Sequence, residues 1–266
     1  MATVRISDFP QLNMVLRLKS WATERWQDRA AASVPLRPRT LELKTVRPGR
    51  VLTIAPHMDD EAIGAGGLLA LHQKAGSTLG LVFASSHEGE RSKTLDDKSA
   101  KNDRLTPAKA VAARLGVKYF KALPHAGGRL GLKELALARQ FAEILTGWEP
   151  EQIICPFPAD HQRDHQATAL ALSAAIEFTR WRGEVWCCEV WSTLWPNVGI
   201  DISSVIEQKR AMIALYNTKN AGISQANAAL GLNQFRGQRL NVAYAETFHV
   251  CSAAEYIRLA GSHSQN

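Results

Sequence analysis

Several things are scarce or missing in this chain of 266 residues. It holds four cysteines (Cys155, Cys187, Cys188 and Cys251), and none are in C-x-x-C spacing. That argues against a disulfide framework or a zinc knuckle and reads as reduced thiols. No run approaches the roughly 18 apolar residues of a membrane span. The opening "MATVRISDFPQLNMVL" has no signal-peptide core or cleavage site, so a cytoplasmic location is expected. There is no internal repeat and no low-complexity tract. Net basic charge is nearly absent over most of the chain. The net charge is +7, yet ten Lys/Arg against four Asp/Glu fall within residues 1–50, leaving the rest nearly neutral. A nucleic-acid enzyme would line its cleft with basic residues, so no nucleic-acid partner is expected.

What is present is an ordinary globular composition, 45% hydrophobic and 21% charged. Residues 1–49 read as a basic extension. A helical stretch with Trp21 and Trp26 is followed by a Pro- and Arg-rich linker or extended arm. A basic helix with tryptophans suits an anionic membrane surface, which predicts peripheral contact through residues 1–30 at the inner face; the alternative is packing on the sheet. From residue 50 to 266 the pattern is that of a single domain. Apolar strands ("RVLTIAP", "LGLVFASS", "KYFKAL", "EQIICPF", "EVWCCEVWS") alternate with amphipathic helices. This predicts an α/β fold with a mainly parallel, doubly wound sheet and helices on both faces.

In such sheets ligands bind beyond the carboxyl ends of the strands. Two polar clusters fall there: "PHMDDE" after the first strand and "PADHQRDH" after the fourth. The two strands are expected to be neighbours at the topological switch, so the clusters converge. Acids packed this closely are tolerable around a divalent cation. His57, Asp60 and His165 form a two-histidine, one-carboxylate set with a position left for water, the pattern of a catalytic rather than a structural zinc. Asp59, turned away from its neighbour, is then the general base. The competing reading makes Asp59 a helix cap. A dinucleotide loop at "GAGG" fails on spacing, since Leu69 stands where the third glycine belongs; these glycines read as close helix–sheet packing. The polar loop 83–103 offers Glu88 and Arg91 as substrate contacts.

"PHMDDE" resembles the P/A-H-P-D-D-E motif of the PIG-L/LmbE-like deacetylases, and "PFPADHQRDHQATA" their Asp-x-His-Pro-Asp-His motif. "EVW", "EQKRAMIALY" and "AYAETF" resemble later stretches of the same family. The resemblance covers roughly residues 50–250. It implies a Rossmann-like three-layer α/β/α fold and zinc-dependent removal of the N-acetyl group from an N-acetylglucosamine-type sugar, lipid-, nucleotide- or glycan-linked. Ferrous iron suits the ligand set as well. It also implies that Asp164 orients a histidine. Met58 replaces the motif's proline, and Gln162 stands where the family has a histidine that polarises the transition state. Either His161, one residue earlier, takes that role, or Gln162 substitutes as a substrate contact. His125 stands near a family aspartate. The alternatives are a hydrolase of another small amide or ester, and a metal-retaining sugar-binding protein.

Overall fold

A computed structural model describes residues 40–88, 104–216 and 225–262. The expected basic helix and its membrane contact, and Arg91, lie outside them. Ten strands are described: β1 (Glu42–Lys44), β2 (Arg50–Ala55), β3 (Thr78–Phe83), β4 (His87–Glu88), β5 (Tyr119–Ala122), β6 (Ala126–Gly127), β7 (Gln152–Pro156), β8 (Glu184–Cys188), β9 (Val198–Asp201) and β10 (Ala245–Ser252). The helices are α1 (Asp60–Lys74), α2 (Leu105–Leu115), α3 (Glu134–Trp148), α4 (Arg163–Thr179), α5 (Ile206–Tyr216), α6 (Gln225–Leu240) and α7 (Ala253–Ser262).

Eight strands form one sheet in the order β1-β9-β10-β8-β7-β2-β3-β5, and β4 and β6 form a separate pair. From β5 through β8 all neighbours are parallel. The sheet is nonetheless mixed, because β10 runs antiparallel to both β8 and β9. Glu42–Lys44, within the stretch read as linker or arm, pairs in parallel with β9 at the sheet edge.

Alternation along β2 sets the three layers. Val51 and Ala55 face the core under α1, α2 and α5, while Leu52 and Ile54 face the core under α3, α4 and α7. Both faces are covered, so both sides of the central strands are apolar. All four cysteines are free and buried. Among the described residues no helix is long and apolar enough to cross a membrane.

The "GAGG" segment allows close approach to the sheet. A Cβ at Gly64 would meet Cys188 Sγ at 2.8 Å, and one at Gly67 would meet Ile202 Cγ2 at 2.6 Å. α1 also breaks at Ala65, whose φ of −143° is not helical. A buried ion pair satisfies the break. Glu246 of β10 accepts from the Gly67 and Leu68 amides, each at 2.7 Å. Lys209 of α5 donates to the Ile63 carbonyl at 2.8 Å and to Glu246 at 2.6 Å. The backbone groups released by the kink are thereby paired, as burial requires. Removing either charge would strand the other, at a cost of about 3–5 kcal/mol.

His72, on α1, supplies a pH dependence. It is buried and its Nδ1 lies 2.9 Å from Ser77 Oγ. Burial pushes its pKa down to about 4 from 6.5. Between those values the unfolded chain binds a proton that the folded chain refuses. The contribution is therefore present above the unfolded value and is lost as pH falls toward the folded one. Urea titration at about pH 7.5 and about pH 4.5 is expected to show wild type losing about 2–3 kcal/mol more than His72→Gln. Equal losses would mean that His72 is protonated without penalty.

Candidate active site

The two polar clusters meet because β2 and β7 are hydrogen-bonded parallel neighbours, Leu52 opposite Ile153. From β2 the sheet grows to β3 on one side, and from β7 to β8 on the other. The switch point is thus between these two strands. His57 and Asp59 sit in the turn from β2 to α1, and Asp60 opens α1. Asp164 and His165 lie in the first turn of α4. Helix N-termini favour carboxylates at these positions.

His57, Asp60 and His165 each offer a ligand atom, and these atoms lie within 4.8 Å of one another. Asp60 Oδ2 is 3.3 Å from His57 Nδ1 and 3.3 Å from His165 Nε2. Each histidine has a second carboxylate behind it. His57 Nε2 lies 2.9 Å from Asp164 Oδ2, so this nitrogen donates to the carboxylate while Nδ1 faces Asp60. Asp164 is itself fixed by the amides of Gly128 at 2.5 Å and Leu130 at 3.1 Å. His165 Nδ1 is 3.3 Å from Asp160 Oδ2, and Asp160 accepts from the Gln162 and Trp191 amides. Both His165 nitrogens are buried without an aligned hydrogen bond. An orphaned imidazole facing a carboxylate and a second histidine fits a divalent cation.

The electrostatics agree. Burial alone would lower His57 and His165, but Asp164 and Asp60 carry His57 to about 10, and Asp60 and Asp160 carry His165 to about 9. Burial would raise Asp60, Asp160 and Asp164, yet the histidines and, for the latter two, backbone amides hold them below the usual range. The pocket has an excess of negative charge that selects for a cation.

Asp59 is different. Its φ of 143° is rare for a residue with a side chain, and such strain concentrates at functional sites. It occupies the N-cap position of α1 but makes no side-chain cap hydrogen bond. Its Oδ2 instead meets Arg104 Nη1 at 2.5 Å. Burial, followed by the Asp60 charge, pushes it up to about 7, with Arg104 opposing. Its amide donates to Glu61 Oε2 at 3.1 Å, and Glu61 Oε1 accepts from Tyr216 at 2.5 Å. The third acid of "PHMDDE" thus holds the turn. Burial keeps Glu61 up at about 8.

The other candidates are more scattered. The His161 side chain is 74% exposed, with Nδ1 3.1 Å from Ser192 Oγ. Gln162 precedes α4, its Oε1 buried and unpaired. His125 Nε2 lies 2.7 Å from Gln140 of α3. Glu88 lies in β4, paired to Gly127. Sequence reasoning missed Asp160, Arg104, Glu61 and Tyr216. Asp160 and Glu61 carried a local signal, each lying inside a cluster already singled out, whereas Arg104 and Tyr216 lie outside both.

This is an α/β protein with a His–Asp–His cluster at the switch point of its sheet. Residues 52–176 match the family model described as "PIG-L: GlcNAc-PI de-N-acetylase". No curated protein sequence matches it. Among solved structures, the N,N'-diacetylchitobiose deacetylase of Pyrococcus horikoshii is similar at TM-score 0.66 and 18% identity, over 89% of this chain and 94% of that one. A conserved protein of Thermus thermophilus gives 0.63 and 24%, over 76% and 94%. The 4-carboxy-2-hydroxymuconate hydratase of Pseudomonas putida gives 0.54 and 22%, over 76% and 95%. The fold is therefore shared by proteins named for different reactions, and function has to be argued from the site.

Proposed function

We propose that this chain hydrolyses the N-acetyl group of an acetamido sugar, releasing acetate and a free amine, with a divalent metal held by His57, Asp60 and His165. The observation that carries this reading is the division of labour between two adjacent aspartates. Asp60 lies among the histidines, while Asp59 is turned onto Arg104 with its pKa near neutrality. A binding site alone has no need of a strained, buried carboxylate beside its ligand set. The family match and a deacetylase among the structural neighbours support the same chemistry.

A divalent ion bound there supplies a polarising charge and lowers the pKa of water toward neutrality. Asp59 takes a proton from the attacking water as its oxygen adds to the amide carbon, and Arg104 holds the Asp59 carboxylate in place. Asp164 and Asp160 keep the imidazoles oriented and their tautomers fixed. Collapse breaks the C–N bond, and the proton on Asp59 passes to the leaving nitrogen. Oxyanion stabilisation falls to His161 or Gln162, and comparing His161→Ala with Gln162→Ala separates them. The ligand set suits zinc and ferrous iron.

The test is acetate release from lipid-linked, nucleotide-linked and free N-acetylglucosamine derivatives. Chelation should abolish it, and zinc or ferrous ion should restore it. Cleavage of simple amides or esters in place of acetamido sugars would favour another hydrolase. Sugar binding without turnover would leave a metal-retaining binding protein.

A further inference from the structure

Helix α5 grips α1 at two points. Lys209 reaches the Ile63 carbonyl at 2.8 Å, and Tyr216, seven residues on, reaches Glu61 Oε1 at 2.5 Å. Seven residues are about two helical turns, so both side chains leave the same face of α5. Lys209 has a structural task, the pairing of the groups released by the α1 kink. The Tyr216 hydroxyl ends elsewhere, in the turn that carries the general base.

Glu61 is buried, and each of its carboxylate oxygens takes a donor, the Tyr216 hydroxyl on Oε1 and the Asp59 amide on Oε2. A bond from residue 61 back to residue 59 is local, yet it holds only if the glutamate side chain is fixed, and Tyr216 is what fixes it. The Asp59 carbonyl in turn accepts from the Ala62 and Ile63 amides at 3.1 and 3.0 Å. The peptide groups on both sides of the Asp59 Cα are therefore pinned, one by Glu61 and one by the first turn of α1. That pinning matters because φ at Asp59 is 143°, a costly conformation that persists only where its surroundings over-determine it. The Tyr216 ring itself lies in the apolar core under α1, α2 and α5, and its hydroxyl is no part of the His57–Asp60–His165 set.

We propose that Tyr216 is a positioning residue for the general base: its hydroxyl fixes Glu61, Glu61 holds the Asp59 amide, and the Asp59 carboxylate is thereby kept on Arg104 and off the metal. The assignment rests on the deacetylase reading above and extends its machinery to the far end of α5. Without the hydroxyl, Glu61 Oε1 is left buried with no donor. The carboxylate is then free to turn, and the strained backbone at Asp59 to relax.

The metal-loaded full chain is compared with Tyr216→Phe, which keeps the ring and loses only the hydroxyl. Acetate release is read from N-acetylglucosamine and its lipid- and nucleotide-linked derivatives. In the variant kcat should fall about tenfold or more, the value of a hydrogen bond to a charged group, with KM within about twofold and metal per chain unchanged. Built into Asp59→Asn, the same change should lower the residual turnover by less than about twofold, because the base it positions is already absent. An unmoved kcat, an equal loss in both backgrounds, a loss confined to KM, or loss of metal overturns the proposal. Hydrogen exchange gives a readout without turnover. The Asp59 amide should exchange about tenfold faster in Tyr216→Phe when referred to the Leu68 amide, which Glu246 holds, and taking this ratio removes the effect of global destabilisation. An unchanged ratio overturns the proposal as well. A raised ratio in a chain that releases no acetate defeats the deacetylase reading and leaves the Tyr216–Glu61–Asp59 clamp standing.

Discussion

Asp59→Asn is expected to keep its metal and to lose turnover by a factor of about 10² or more, the usual value of a positioned general base. Asparagine is the right probe on three counts. It has nearly the shape of aspartate, so the buried site is not opened. It shares the backbone preferences of aspartate, so the strained φ of 143° at this position is no harder for it to hold. It also keeps an oxygen for the Arg104 contact that holds the side chain at 2.5 Å. What it lacks is the ability to take a proton. Because the side chain is bonded to Arg104 and lies outside the ligand cluster, metal per chain should equal that of wild type. Metal analysis and acetate release on the same preparation decide the matter. If metal disappears together with activity, the roles of Asp59 and Asp60 are reversed.

The central sheet was readable in advance because Val51 to Ala55 and its parallel neighbours are apolar on both faces, a signal that survives without knowledge of partners. The edge was not. β9 is four residues long, and β10, though eight, places Glu246 and Thr247 in its buried run, which breaks any hydrophobic pattern. Glu246 is tolerable there only because Lys209, on a different helix, and the kink in α1 meet it, and no local pattern encodes such a meeting. The same holds at the site. His57, Asp60 and His165 stood out because the strand order follows from the alternation, and strand order brings their loops together. Arg104 stands outside both motifs, at the end of a long polar loop, and its contact with Asp59 depends on how α2 docks. Tyr216 and Glu61 meet from 155 residues apart, across α5 and the start of α1. Convergence of strand ends is topological and can be inferred; the choice of side chains that steady the converged groups depends on tertiary packing.

His165→Ala is the sharper test of the metal itself. Wild type is expected to hold about one divalent ion per chain, the stoichiometry of a three-ligand catalytic site. The variant should lose most of it, with activity falling to background, because two ligands in an open pocket do not compete well with water. His165 is fully buried, and its removal leaves a void and takes a partner from Asp160 Oδ2. Absolute stability will drop for those reasons alone and is the wrong quantity to read. The increase in stability on adding metal is the right one. Wild type at a free ion concentration of about 100 times its dissociation constant should gain about 2.7 kcal/mol, and the variant should gain almost nothing under the same conditions. His161→Ala serves as the control, since that side chain is exposed, contacts Ser192 and, at 3.9 Å, Asp160, and offers no ligand atom to the His57–Asp60–His165 set, so its metal-induced gain should match wild type. Equal metal content in wild type and His165→Ala would remove the ion from this cluster, and with it the reason that two histidines and four aspartates share one turn of space.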